Sequence, residues 1–128
     1  MSRTGAFLAD VLAIAVFALL ARMAHQSEEM PLTVSGWLST LWPFLIGVAV
    51  AWVVIGAARW EGARLHPAGW VAWLIVVAVG LAIWGLRNQA IPHWSFIIVA
   101  AVMSVILMLG WRLVAQARSR RTLAPAAP

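Results

Sequence analysis

The chain has 128 residues, of which 64% are hydrophobic and 10% charged, with no cysteine and a formal net charge of +5. An average soluble domain is roughly 45–50% apolar and roughly 25% charged, so a chain with a mean hydropathy of +0.94 cannot cover its own core with polar surface. This excludes an ordinary soluble enzyme, a disordered chain, a collagen-like fibre, a disulfide framework and a thiolate metal site, and leaves one integral membrane domain.

A helix needs about 20 apolar residues to cross about 30 Å of hydrocarbon. Four runs meet that length: 6–23, 38–58, 69–86 and 94–113. They are apolar all round and lack period-2 alternation, which points to helices rather than a barrel. The first run begins after Arg3 and carries Asp10 inside it. Cleavage after Ala24 would put Arg22 where a leader peptide needs a small residue, so the run reads as a retained helix. His25 to Ser39, with Glu28, Glu29, Pro31 and Gly36, separates it from the second run, where Pro43 falls near the first turn and reads as a start signal. Gly47, Gly56 and Gly80 allow close helix approach on the second and third runs. Arg59 to Pro67 and Arg87 to His93 are the other breaks, and residues 117–128 read as a basic, disordered tail beyond a membrane domain of 1–116.

All nine basic residues are arginine. Arg3, Arg59, Arg64, Arg112, Arg118, Arg120 and Arg121 fall on one side of the membrane, and only Arg22 and Arg87 on the other. The positive-inside rule then puts both termini in the cytoplasm. The expected architecture is an all-α bundle of four transmembrane helices, multi-pass in the cell (inner) membrane. A parallel duplication of a helical hairpin is one further reading. Trp42-Pro43-Phe44 aligns with Trp94-Ser95-Phe96, and Ile46, Ala49 and Val50 match Ile98, Ala101 and Val102 at the same offset. Chance matching of apolar segments accounts for the same similarity.

Of nine tryptophans, Trp37, Trp42, Trp60, Trp70, Trp94 and Trp111 fall near the membrane interfaces, where indoles reside anyway. Trp52, Trp73 and Trp84 lie deeper, and each needs a partner for its N–H. Packing explains them more simply than a stacked quinone or other flat cofactor.

Asp10 carries the largest cost. A carboxylate near a helix centre costs about 2.5–3.5 kcal/mol on insertion scales, less near an end. Arg22 lies 12 residues further along the same helix, about 18 Å away, and cannot reach it. Arg112, at the same depth on the fourth helix, can. The expected Asp10–Arg112 pair, direct or bridged by water, is either a helix-to-helix clasp or a proton or ion step. A second cluster forms on the opposite side from Arg22, His25, Arg87 and His93, with Glu28 and Glu29 nearby. Snorkelling arginines with interfacial histidines is the simplest account; an anion or lipid-headgroup site and haem ligation by His25 and His93 are the alternatives. His66 beside Pro67 reads as solvated. No P-loop, HExxH, dinucleotide fingerprint or plausible Ser-His-Asp set occurs, and no soluble surface exists to read nucleic acid.

Asp10, Arg22-x-x-His25, Trp42-Pro43-Phe44-Leu45-Ile46-Gly47 and Gly110-Trp111-Arg112 together resemble an uncharacterised family of small prokaryotic, largely actinobacterial, membrane proteins that carries only a domain-of-unknown-function label. The likeness covers nearly the whole chain. This chain has Ala21-Arg22 where members often show Gly-Arg. The resemblance implies four helices and no established activity, and it adds weight to Asp10, Arg22, His25 and Arg112. The expected role is that of a non-enzymatic accessory or scaffold component in a homo-oligomer or larger membrane complex, with no cofactor or metal. The alternative is a small transporter with a polar path through Asp10/Arg112 and Arg22/His25/Arg87.

Overall fold

The computed structural model describes residues 2–24, 33–89 and 94–123. Four helices make up the bundle: α1 (Arg3–Ala24), α2 (Val34–Ala58), α3 (Trp70–Asn88) and α4 (Trp94–Leu123). All four, α3 taken together with the turn before it, are long and apolar enough to span a membrane. Each packs antiparallel on its neighbours: α1 against α2 and α4, and α3 against α2 and α4. The start of α1, the end of α4 and the α2–α3 connection therefore gather at one end of the bundle. His25, His93, Glu28, Glu29 and residues 124–128 lie outside the described residues.

In lipid, apolar burial gives helices no drive to associate, so close packing and interhelical hydrogen bonds do that work. The inner face of α1 is a single stripe: Ala6, Asp10, Ala13, Ile14, Phe17, Ala18 and Ala21, all buried. The small members let α2 and α4 approach. Phe17 meets Phe44 edge to face at 4.9 Å and fills the middle of the bundle. Gly47 brings α2 onto the α3 backbone: a Cβ there would stand 2.8 Å from the Val76 Cα. Gly80 leaves room in the same way for the Phe44 ring.

Three expectations change. First, α2 starts at Val34, not at 38. Thr33 is its N-cap and accepts the Gly36 N–H through Oγ1 at 2.9 Å. Pro43 is consequently inside the helix and buried, rather than in the first turn. Its missing N–H leaves the Ser39 carbonyl without its helical donor, and Arg87 Nη1 donates to that carbonyl at 3.2 Å. Second, α4 runs 30 residues, to Leu123. At 1.5 Å per residue that is about 45 Å, longer than the hydrocarbon. The helix continues through the helix-forming Ala115-Gln116-Ala117-Arg118 stretch, so part of the expected disordered tail is helical. Third, Trp42 is the ninth residue of α2 whereas Trp94 is the first of α4. The tryptophans matched in the proposed duplication do not occupy equivalent places.

α2 ends at Arg59, whose φ of 59° is left-handed. The amides of Arg59 and Trp60 turn back to the Gly56 and Ile55 carbonyls. The connection then crosses the end of the bundle, with an exposed Glu61–Arg64 ion pair at 3.3 Å. It passes through an exposed His66 and a cis His66–Pro67 peptide into α3.

Candidate functional site

Four of the described charged side chains form a closed site, Asp10 with Arg112, and an open rim, Arg22 and Arg87, at opposite ends of the bundle. The closed site is built on Asp10 and Arg112, both fully buried. Arg112 approaches the carboxylate end-on, Nη1 to Oδ1 and Nη2 to Oδ2, each at 2.7 Å. This is the bidentate geometry that suits a planar guanidinium. Two indoles complete the carboxylate: Trp111 Nε1 donates to Oδ1 and Trp52 Nε1 to Oδ2, both at 2.9 Å. Four donors on one carboxylate satisfy it without water.

The guanidinium is held as firmly. Its Nε donates to the Gly62 carbonyl at 2.9 Å and Nη1 also to the Met108 carbonyl at 3.0 Å. Four of its five N–H donors are thereby engaged. Its Cζ lies 4.4 Å from the centroid of the Trp111 ring, within cation–π range. Two glycines let the α2–α3 connection close over the pair. At Gly62 a Cβ would run into the Trp52 indole, and at Gly69 it would stand 2.8 Å from Arg112 Cδ. Four elements, α1, α2, α4 and the connection, thus converge on one ion pair.

Sequence reasoning brings Asp10 to Arg112, and here they meet. It misses Trp111, which is assigned to the interface but donates into the site, and it misses Gly62 altogether. Trp111 is adjacent to Arg112 and at the depth of Asp10, which was the available signal. Trp52 is recognised as needing a partner, though not which one. Trp37, also assigned to the interface, donates to the Ala15 carbonyl of α1 at 3.0 Å instead.

The open rim holds Arg22 and Arg87, which contact different turns of α2 rather than each other. The Arg22 guanidinium lies on Gly36, where a Cβ would stand 2.7 Å from its Nε. That Nε is buried and has no hydrogen-bond partner among the described residues. Arg87 takes the Ser39 carbonyl and places its Cζ 5.0 Å from the Trp42 ring centroid. His25 and His93, expected beside them, are outside the described residues, so haem ligation by that pair has no geometry to weigh.

Between closed site and rim the interior is apolar. Ala13, Ile14, Phe17, Phe44, Val48, Val76 and Met108 are all 7% exposed or less. Among the described residues the buried polar side chain outside the Asp10 site is Ser104, whose hydroxyl donates to the Ala100 carbonyl and accepts from Trp73 Nε1 at 3.0 Å. No group of three or more metal-binding side chains occurs among the described residues.

No curated protein and no solved structure matches the chain. Residues 7–115 match the family described as "Protein of unknown function (DUF3054)", which takes in α1 to most of α4 and all the residues of the closed site, and the chain belongs to that family.

Proposed function

We propose that this four-helix membrane protein is a non-enzymatic accessory or scaffold component, embedded in the cell (inner) membrane with both termini cytoplasmic. Its polar core serves as a helix-to-helix clasp rather than a step in transport or catalysis. The observation that carries the reading is the saturation of Asp10. A carboxylate that takes four protein donors, shut away from solvent, has no lone pair turned toward an ion, proton carrier or substrate. Supporting it, the apolar plug around Phe17 and Phe44 separates Asp10 from Arg22 and Arg87, so the polar path of a permease is interrupted. Exposed apolar side chains on every helix, Leu12, Val53, Leu74 and Ile106 among them, leave faces to lipid, to further copies or to a partner.

Native mass spectrometry of the protein extracted from its own membrane in mild detergent tests the accessory role. A defined additional mass from another protein supports it. A bare homo-oligomer weakens it and moves transport to the front.

A further inference from the structure

At the end of the bundle away from Asp10, an open groove of about 320 Å³ runs between the N-terminal half of α2 and the end of α3. This volume is at the small end of the roughly 300–1,000 Å³ range of ligand sites. The guanidinium of Arg87, with Ser35 and Ser39, forms its polar part, and Leu38, Trp42 and Leu45 form its apolar wall. We propose that this groove binds a glycerophospholipid with an anionic headgroup, the phosphate beside Arg87 and Ser35 and one acyl chain along the α2 face. The proposal rests only on the membrane embedding of the chain and not on the accessory role.

Three features of the groove match that occupant. Residues 35, 38, 39, 42 and 45 recur at helical spacing and share one face of α2. From Ser35 to Leu45 that face is about 15 Å long at 1.5 Å per residue, half of the roughly 30 Å hydrocarbon core. It is therefore the depth of one leaflet, with Ser35 at its outer end, Ser39 and the Arg87 guanidinium a turn further in beside Trp42, and Leu45 at its inner end. The charge is also one-sided. Arg22 and Arg87 are the charged side chains described at this end, while the described carboxylates, Asp10 and Glu61, stand at the other; Glu28 and Glu29 are outside the described residues. An amphipathic occupant with a negative head fits this arrangement, and a zwitterionic head gains less from it.

The test offers the delipidated protein an equimolar mixture of phosphatidylglycerol and phosphatidylcholine with matched chains, and counts lipid adducts by native mass spectrometry. One arginine near a headgroup gives about a fivefold preference for the anionic lipid. Arg87→Gln brings that ratio close to one. Because Arg87 also supports the Ser39 carbonyl, Ser35→Glu is a second variant that keeps the arginine. An acid in the first turn of α2 favours the helix and puts a negative charge beside Arg87 where the headgroup would sit, so it too brings the ratio close to one. Equal retention of the two lipids by the unaltered protein overturns the proposal. So does a preference that survives Ser35→Glu, which would locate the binding elsewhere. Complete displacement of phosphatidylglycerol by millimolar inorganic phosphate also overturns it, by showing a site for free phosphate.

Discussion

Asp10→Asn removes one charge from the buried pair and almost no volume. In place of one carboxylate oxygen it puts an NH₂ group facing a donor, either Arg112 Nη2 with Trp52 Nε1, or Arg112 Nη1 with Trp111 Nε1. Arg112 keeps the Gly62 and Met108 carbonyls and the face of Trp111. None of these carries a negative charge, so its own charge stays buried and uncompensated. Breaking a buried pair in this way costs about 3–5 kcal/mol. Adding Arg112→Gln removes the stranded charge and lets two side-chain amides bond to each other and to the surrounding groups. One or two donors stay unmatched, at about 1–3 kcal/mol. The double variant is therefore more stable than Asp10→Asn alone by about 2 kcal/mol. Unfolding in mixed detergent and sodium dodecyl sulfate, followed by the summed fluorescence of the nine tryptophans, measures both. A cost for Asp10→Asn below about 1 kcal/mol, or a double variant weaker than the single, refutes the clasp.

Three further outcomes are expected. Ala13→Cys, alone in a chain without native thiols, resists a water-soluble maleimide while exposed Ser35→Cys reacts; labelling of position 13 would reveal a wet path and favour a permease. Gly47→Ala forces a Cβ onto the α3 backbone beside Val76, where no side-chain rotation relieves it, and costs about 1–3 kcal/mol in the same unfolding assay. Arg87→Gln removes the donor of the Ser39 carbonyl and costs about 0.5–1 kcal/mol at this exposed site. In a Pro43→Ala background, where the helix supplies that N–H itself, the Arg87→Gln cost should fall to what the Trp42 ring contact contributes; equal costs in the two backgrounds would sever the link between Pro43 and Arg87.

The four spans, the helical class and the Asp10–Arg112 encounter follow from the amino-acid order by itself. Hydropathy is a local sum over a window the length of the membrane. Depth along a helix is arithmetic at a constant rise, so an acid one or two turns from one end of α1 has few partners within reach, and Arg112 is at its level. Other features depend on how each helix is rotated about its axis and on the course of the connections, and no local pattern encodes either. Rotation decides that Trp111 turns inward to Asp10 while Trp70 and Trp94 stay exposed. Rotation also sets Gly47 against Val76 and Phe44 against Gly80. The fold of residues 59–69 decides that the Gly62 carbonyl reaches Arg112 Nε and that glycine is needed under Trp52. At Pro43 the local rule reads a helix start, because a proline costs least in a first turn. Thr33 caps the helix ten residues earlier, and the cost of the interior proline is offset by an arginine on a different helix, a compensation that only the tertiary structure can supply.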